Sequence, residues 1–133
     1  MIKISIIITT YNSADYIQET LDSILKQNGA GKKFDLEIIV VDDCSTDGTQ
    51  EILAERDVKF VSTGQNSGGP NKGRNIGLKE AAGQFICIVD HDDQWLPNKL
   101  LAQLEVSHLA PIVSSGFSIV NKSDGTVTKL VNK

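Results

Sequence analysis

Three segments of the chain are almost continuously apolar, and this pattern restricts the fold more than any other feature of the sequence. The segments span residues 4–9, 36–41 and 85–89 and are rich in Ile and Val. A strand with one face in water alternates apolar and polar side chains, whereas a continuous apolar run is typical of a strand buried on both faces. Segments with helical periodicity lie between these runs. The sequence therefore predicts an α/β fold with a mainly parallel sheet and helices on both faces.

Weaker signals predict the remaining elements. The first helix follows the capping residues Asn12 and Ser13, and its apolar face is predicted to comprise four residues: Ile17, Leu21, Ile24 and Leu25. A third strand is predicted at residues 58–61, and a glycine-rich loop at residues 64–73 opens the next helix. The tail from Ile112 contains Asp124-Gly125, a turn dipeptide, and is predicted to return as a C-terminal hairpin. No repeat or linker divides the chain, so residues 1–133 are predicted to form one domain.

Polar residues follow the apolar strands. They occupy positions 9–12, 42–43 and 90–93, and the last group contains Asp90, Asp92 and Asp93. Ligands of parallel α/β sheets bind beyond the carboxyl ends of the strands, so these three groups should meet at one crevice. Adjacent carboxylates repel one another, and a divalent cation such as Mg²⁺ or Mn²⁺ neutralises them while leaving positions open for phosphate. The alternative is a solvated acidic turn that caps the helix predicted near Pro97.

Composition and charge exclude several classes of protein. A formal charge of −4 and a pI near 5.1 give no basic surface for a nucleic-acid backbone. No apolar stretch is long enough to span a membrane, and Met1 leads directly into a strand instead of a signal peptide, so a cytoplasmic location is expected. Cys44 and Cys87 are too few for a disulfide framework.

Three nucleotide or metal motifs fail on the residues present. The segment 69–73 lacks the Gly-Lys-Ser/Thr ending of a P-loop. An EF-hand starting at Asp90 would need Gly at Trp95 and Glu at Leu101. A dinucleotide-binding fold would place its glycines directly after the first strand, where this chain has residues 9–12, Thr-Thr-Tyr-Asn.

Four segments together resemble the family 2 glycosyltransferases. They are residues 5–12 (SIIITTYN), 38–49 (IIVVDDCSTDGT), 73–77 (GRNIG) and 90–93 (DHDD), in the order and spacing of the family. The resemblance covers essentially the whole chain. It implies a GT-A fold and transfer of a sugar, mostly with inversion, from a nucleotide diphosphate donor to an acceptor hydroxyl in polysaccharide or glycan synthesis, including that of the cell envelope.

The resemblance also implies roles for individual residues in donor binding. Thr9 and Tyr11 match the positions that flank the base and ribose, and Asp42 matches the carboxylate that recognises the base. An ionised carboxylate accepts a hydrogen bond from the imide N–H of uracil or thymine, so a UDP-sugar is the favoured donor. Arg74 belongs to the matched Arg-Asn pair and suits phosphate geometry. Asp90 is expected on the ribose or sugar side.

The Asp-x-Asp signature of the family falls on residues 90–92, and it implies a divalent metal that bridges the diphosphate. Asp92 is the first candidate ligand, and Asp93 is its competitor, with Mn²⁺ or Mg²⁺ as the ion. If the strand continues, alternation turns His91 away from Asp90 and Asp92, so His91 is expected to be a spacer.

Other acidic residues after the second strand are predicted to be structural. Asp43 and Ser45 are expected to hold the turn through local hydrogen bonds, and Asp47 is expected to cap the following helix.

An inverting transfer also needs a general base, and the catalytic base of this chain is unknown. The family supplies an acidic residue from its second half, and nothing after Ile112 matches it. The chain is therefore expected to be the N-terminal, donor-binding part of a transferase, truncated or encoded as a short product, without the acceptor-side half. Transfer by residues 1–133 alone should be weak or absent.

The lack of a matching acceptor-side half also affects which partners are expected. The acceptor is expected to be a glycan or a lipid-linked molecule, and peripheral membrane association of the full enzyme is compatible with the resemblance. An uncovered sheet face would favour dimerisation. A rival interpretation is a non-enzymatic α/β module, receiver-like or nucleotide-sensing, whose acidic pocket holds Mg²⁺. In receivers, however, the acidic pair follows the first strand, whereas Asp42 and Asp43 follow the second.

Overall fold

The computed structural model describes residues 1–56, 58–121 and 123–130 of the chain. Helices and strands alternate over most of its length, and their bounds in chain order are β1 (Ile2–Thr10), α1 (Ile17–Leu25), β2 (Phe34–Asp42), α2 (Thr49–Glu55), β3 (Lys59–Ser62), α3 (Asn71–Glu80), β4 (Phe85–Asp90), α4 (Lys99–Val106), β5 (Phe117–Val120) and β6 (Val127–Leu130). The chain divides into two compact units, Met1–Pro97 and Asn98–Lys133. The organisation of residues 1–133 as one domain stays a prediction.

The first unit is built on a four-stranded sheet in the order β3-β2-β1-β4, in which each neighbouring pair is parallel. The central strand β1 is buried on both faces, because Ile6 and Ile7 point to opposite sides of the sheet and both are inaccessible to water. This burial explains the continuous apolar runs of the sequence. The predicted mainly parallel α/β sheet is confirmed.

Helix α1 confirms most of its predicted apolar face. Ile17, Leu21 and Ile24 are fully buried, whereas Leu25 is half exposed at the last residue of the helix. The helix begins later than the capping residues suggested, since the residues after Ser13 form turns before Ile17. The main-chain carbonyl of Ser13 accepts a hydrogen bond from the Ile17 N–H at 2.9 Å, which joins this turn to the helix.

Helix α3 packs on the sheet through glycines. Gly73 and Gly77 are its buried residues and lie one turn apart on the same face. A Cβ atom at Gly77 would lie 2.5 Å from Cγ2 of Ile7, and one at Gly73 would lie 2.9 Å from Cγ2 of Thr9. The helix therefore approaches β1 more closely than any side chain would allow, and its N-terminal turn lies near the end of β1.

The second unit contains α4 and a two-stranded antiparallel sheet of β5 and β6. Phe117 pairs with Leu130, and Val120 pairs with Val127, so the predicted C-terminal hairpin is confirmed. The carboxylate of Asp124 accepts hydrogen bonds within its turn from the main chain and the hydroxyl of Thr126. Among the helices that the structure describes in both units, none has the length and apolar character to cross a membrane.

Candidate functional site

A cleft opens where the C-terminal ends of β1, β2 and β4 lie side by side. Thr9 of β1 is paired in register with Asp90 of β4, and Thr10 with Asp42 of β2. The cleft has a volume of about 420 Å³. Strand ends, the loop before α3 and the start of α3 supply its lining, which consists of Thr9, Thr10, Tyr11, Val41, Asp43, Asn66, Gly68, Gly69, Pro70, Gly73, Asp90, His91 and Asp92. The strand ends converge as the sequence predicted.

The end of β1 places Thr9 and Tyr11 in the cleft. Thr9 is buried within the strand, whereas Tyr11 lies just beyond the strand and is half exposed. The following residue fixes this turn, because the Asn12 N–H donates to Ser45 Oγ at 2.9 Å and the Asn12 side-chain oxygen accepts from the Thr46 N–H at 2.8 Å. The loops after β1 and β2 are thereby tied together, and an aromatic face remains available beside the cleft.

Asp42 is fully buried and does not line the cleft. Its Oδ1 accepts hydrogen bonds from the hydroxyls of Thr10 at 2.7 Å and Ser45 at 2.6 Å. Its Oδ2 accepts from the Ser45 N–H at 2.9 Å and from Gln50 Nε2 at 2.8 Å. Both oxygens are thus engaged in holding the turn between β2 and α2. The expected contact of Asp42 with a base stays a prediction, and this environment does not favour it.

Asp43 lines the cleft instead, with 8% of its surface exposed. Its carboxylate accepts hydrogen bonds from the Thr63 hydroxyl at 2.7 Å and from the N–H and hydroxyl of Ser67 at 3.0 and 2.9 Å. Burial raises the pKa of Asp43, but these hydrogen bonds and the positive charge of Lys72 outweigh it, so the pKa lies below its usual value. Asp43 therefore holds the loop before α3 through distant partners, in place of the local hydrogen bonds to its own turn that the sequence suggested, and also presents a carboxylate to the cleft.

The sequence alone offered one signal for this difference between neighbours. Successive side chains of a strand point to opposite faces, but β2 ends at Asp42, so Asp43 stands beyond the strand, where this alternation ends. Which of the two carboxylates faces the cleft depends on how the turn after β2 packs against the loop before α3, which the sequence does not specify.

Arg74 and Asp90 form an ion pair at the edge of the cleft. Arg74 Nη2 donates to Asp90 Oδ1 at 3.0 Å, and the Arg74 side chain is the more buried of the two. Nε of Arg74 is buried and has no hydrogen-bond partner among the described residues. Asp90 lines the cleft, whereas Arg74 lies behind it, so Arg74 holds Asp90 in this structure. Its expected contact with phosphate stays a prediction.

His91 lies in the cleft and does not turn away from it. Strand β4 ends at Asp90, and residues 91 and 92 form a turn in which the Asp93 N–H donates to the Asp90 carbonyl at 3.1 Å. Strand alternation ends at that point, so His91 and Asp92 both line the cleft. The Thr20 hydroxyl of α1 donates to the His91 carbonyl at 3.0 Å and fixes the turn. The expectation that His91 turns away from the cleft was therefore wrong, whereas its role as a spacer and not a ligand stays a prediction.

Negative charge is concentrated in the acidic turn, residues 90–93. Burial, followed by the negative charges of Asp90 and Asp92, raises the pKa of Asp93, while His91 opposes the shift. Carboxylate oxygens of this kind fit a hard divalent cation, which needs one or two of them when substrate phosphate supplies the rest. Within the described residues, no three His, Cys, Asp or Glu side chains converge into a complete metal cage. Asp92 lines the cleft and Asp93 does not, and their role as metal ligands stays a prediction.

Comparison with known proteins identifies the family. The model of "Glycosyl transferase family 2" matches residues 5–130, which includes every strand end that contributes to the cleft. The chain belongs to glycosyltransferase family 2. The resemblance carried by the four sequence segments is thereby confirmed, and family membership favours the transferase interpretation over a receiver-like module.

Curated relatives of this family 2 chain include two bacterial proteins that are named as glycosyltransferases. The chain is 46% identical over 97 residues to the poly(ribitol-phosphate) β-N-acetylglucosaminyltransferase TarS of Staphylococcus aureus, covering 70% of this chain and 17% of TarS. It is 36% identical over 130 residues to the putative teichuronic acid biosynthesis glycosyltransferase TuaG of Bacillus subtilis, covering 92% of this chain and 49% of TuaG. The chain thus spans less than half of the length of each relative.

Solved structures confirm the GT-A fold of this family 2 chain. Residues 1–349 of S. aureus TarS in complex with UDP align with a TM-score of 0.73 and 37% identity, over 89% of this chain and 34% of that one. The mannosyltransferase PcManGT of Pyrobaculum calidifontis, in complex with GDP-Man and Mn²⁺, aligns with a TM-score of 0.68 and 31% identity, over 91% of this chain and 36% of that one.

Proposed function

We propose that the chain is the donor-binding part of a glycosyltransferase that uses a UDP-sugar and a divalent metal and transfers the sugar, with inversion, to an acceptor hydroxyl. One observation carries the proposal. A single cleft contains Asp43, just beyond the end of β2, and a pair of carboxylates, Asp90 and Asp92, at and beyond the end of β4. This arrangement supports binding of a nucleotide diphosphate, with Asp43 as an acceptor for an imide N–H and the carboxylate pair facing the anionic diphosphate through a divalent cation.

At the base end, Tyr11 offers a stacking face and Asp43 offers an acceptor for the imide N–H of uracil. Thr9 lies between the ends of β2 and β4, where a ribose would pass. The complex of TarS with UDP supports uracil as the base, because that protein shares 37% identity with this chain. The geometry favours Asp43 over Asp42 for this contact, since both oxygens of Asp42 are engaged within the protein.

At the diphosphate end, Asp92 is the first metal ligand and Asp93 the second candidate, with Mn²⁺ or Mg²⁺ as the ion. A bound cation would stabilise the negative charge that develops on the departing nucleoside diphosphate. Asp90 lies on the ribose or sugar side, where Arg74 holds it in place and partly neutralises it. The complex of PcManGT with GDP-Man and Mn²⁺ supports a divalent metal in this fold.

The acceptor is proposed to be a glycan or a lipid-linked molecule in the synthesis of a cell-envelope polysaccharide. The names of TarS, which refers to poly(ribitol-phosphate), and of TuaG, which refers to teichuronic acid biosynthesis, support this proposal. The reaction is proposed to take place in the cytoplasm, with peripheral membrane association of the full enzyme. Among the described residues we assign no general base, so residues 1–133 alone are proposed to bind the donor and to transfer the sugar weakly or not at all.

Calorimetric titration of the 133-residue chain with UDP, with and without Mn²⁺, tests the proposal. We expect the wild-type chain to bind UDP in the presence of Mn²⁺. Without Mn²⁺ its affinity for UDP should fall at least about tenfold, because a charge-assisted contact of about 1.4 kcal/mol is lost. Asp92→Ala should remove the Mn²⁺ dependence. Asp35→Ala, which removes an exposed carboxylate from the start of β2, should leave it unchanged and serves as the control.

Two outcomes would contradict the proposal. Retention of the Mn²⁺ effect in Asp92→Ala would show that the metal ligand is misplaced. A rise in the melting temperature with acetyl phosphate and Mg²⁺, but none with UDP and Mn²⁺, would favour a receiver-like module instead of a transferase.

A further inference from the structure

The loop between β3 and α3 closes onto the carboxylate of Asp43. Thr63 and Ser67 of this loop both donate hydrogen bonds to that carboxylate, and the two residues are called the Asp43 clamp below. A further contact joins Asn66 Nδ2 to the main-chain carbonyl of Asp43 at 3.4 Å. Asn66, Gly68 and three neighbouring residues of the loop and of the start of α3 line the same cleft as Asp43. The residues that hold the carboxylate are therefore part of the wall beside which a ligand would lie.

The two carboxylate oxygens of Asp43 accept different numbers of hydrogen bonds from the clamp. Oδ1 accepts from the Thr63 hydroxyl at 2.7 Å, from the Ser67 N–H at 3.0 Å and from the Ser67 hydroxyl at 2.9 Å. Oδ2 accepts only from the same Ser67 N–H, at 3.0 Å, among the hydrogen bonds of the described residues. A carboxylate oxygen has two lone pairs, so Oδ2 retains a free acceptor site while Oδ1 is saturated.

We propose that Thr63 and Ser67 are positioning residues that act through Asp43 to determine which nucleobase the cleft accepts. This inference rests on the proposed function. With Oδ1 saturated, the free lone pair of Oδ2 selects a base with a ring N–H, as in uracil, thymine and guanine. Cytosine presents a lone pair at the ring position where uracil carries its imide N–H, so it is rejected by repulsion between two acceptors.

The protonation state of Asp43 supports this selection. The hydrogen bonds of the clamp and the charge of Lys72 hold the pKa of Asp43 below its usual value despite burial. The carboxylate is consequently an acceptor only, because the protonated form, which would donate to cytosine, is not populated near neutral pH.

The shape of the loop depends on the same contacts. Gly64 and Gly68 adopt φ angles of +87° and +78°, which favour glycine and allow the chain to reverse on either side of Ser67. The Ser67 hydroxyl is also 3.1 Å from the Gly69 carbonyl, so its single proton is shared between that carbonyl and Asp43. Removal of this hydroxyl should leave Asp43 with more rotational freedom, because one of the three donors to Oδ1 is lost.

Titration calorimetry of UDP and CDP, each with Mn²⁺, tests the inference on the 133-residue chain. Ser67→Ala is expected to weaken UDP binding and to reduce the ratio of UDP to CDP affinity, each by about tenfold, as for one charge-assisted hydrogen bond. Ser67→Thr keeps the hydroxyl at an exposed position and should retain the wild-type ratio. Ser118→Ala removes an exposed hydroxyl from β5, outside the residues that line the cleft, and serves as the matched control.

The outcomes separate the inference from the proposed function. The inference is overturned, and the proposed function stays intact, if the wild-type chain binds UDP and the ratio of UDP to CDP affinity is unchanged in Ser67→Ala. Wild type that fails to bind UDP overturns both. If Ser67→Ala does not fold by circular dichroism, Thr63→Val removes the other hydroxyl of the clamp and should shift the ratio in the same direction.

Discussion

At the scale of single residues, Cys44 stores strain beside the cleft. Its φ angle is +62°, in the left-handed region that a residue with a Cβ atom adopts at a cost of about 1–2 kcal/mol. Its thiol makes only weak contacts, at 3.5 Å to the Ser62 hydroxyl and 3.9 Å to the Thr63 hydroxyl. The conformation is therefore imposed by the turn after β2 and is not stabilised by the side chain.

We expect Cys44→Gly to stabilise the protein. Relief of the left-handed strain exceeds the extra entropy of glycine in the unfolded chain, so the free energy of unfolding should rise by roughly 0.5–1 kcal/mol. Urea denaturation measures the change. Cys44→Ala keeps the Cβ atom and the strain, so it should give no gain, and an equal gain in both variants would show that strain is not the cause.

Four residues expected at the site lie where the sequence placed them. Thr9, Tyr11, Asp90 and Asp92 line the cleft, because the parallel sheet brings strand ends and the turns after them together, and their roles in binding stay predictions. The expected orientation of His91 was wrong because it assumed that the strand continues beyond Asp90. The cleft-facing role of Asp43 was missed, because a strand pattern cannot show which of two adjacent carboxylates faces a ligand.

At the scale of elements, the contact of α3 with β1 depends on Gly77. A Cβ atom at this position would lie 2.5 Å from Ile7 Cγ2, and Ile7 is fully buried in the central strand. Glycine ordinarily weakens a helix interior by about 1 kcal/mol relative to alanine, so its presence here reflects packing and not helix propensity.

Gly77→Ala is expected to destabilise the protein despite the better helix propensity of alanine. Overpacking of a close contact costs typically about 1–3 kcal/mol, which exceeds the propensity gain. Urea denaturation followed by circular dichroism should show a lower midpoint. Gly69→Ala is the matched control, since a Cβ atom there meets nothing within 4 Å, and comparable losses in both variants would refute the packing explanation.

The elements themselves were largely predictable. Strands β1, β2 and β4 follow from uninterrupted apolar runs, and the periodic spacing of Ile17, Leu21 and Ile24 gives α1. The sequence was less informative about α3, whose buried residues are Gly73 and Gly77 and not large apolar side chains. A helix that packs through glycines leaves little hydrophobic pattern to detect.

At the scale of the whole molecule, acidic groups couple stability to pH. The pKa values of Asp22, Asp43 and Asp47 lie below the usual value. For Asp22 the main cause is its hydrogen bond from Arg56, whereas for the other two, burial raises the pKa and hydrogen bonds outweigh it. A carboxyl with a lowered pKa in the folded state stabilises the fold above its unfolded pKa, and this stabilisation is lost as the pH falls through the folded value.

We therefore expect the contribution of these three groups to the free energy of unfolding to stay nearly constant from pH 7 to about pH 5 and to be lost progressively below about pH 5. Asp93, whose pKa is raised, contributes in the opposite direction. Asp47→Asn should lower stability at pH 7 and flatten this decline, because its hydrogen bonds from Ala14 and Thr49 join the β1 loop to α2. Denaturant titrations at several pH values measure the slope. Asp35→Asn is the control, and an unchanged slope in Asp47→Asn would contradict the assignment.

The relatives of this chain are much longer than it. The chain spans 49% of TuaG and 17% of TarS, and its acceptor, general base and membrane association stay proposals. Strand β4 is the edge of the four-stranded sheet, and Ile86 and Ile88 on it are half exposed. Self-association through uncovered apolar surface stays a prediction.

The sequence by itself determined the fold class, the polar residues that follow each strand and the family. These features depend on local apolar patterns and on short motifs, and the spacing of such motifs can be read directly from the sequence. Only the tertiary structure decided which of two adjacent carboxylates faces the cleft, that His91 joins it, and that Thr63 and Ser67 hold Asp43. Those facts depend on strand register and on contacts between segments far apart in the chain, such as β2 and the loop before α3. The residue pattern of one segment does not specify which other segment will pack against it.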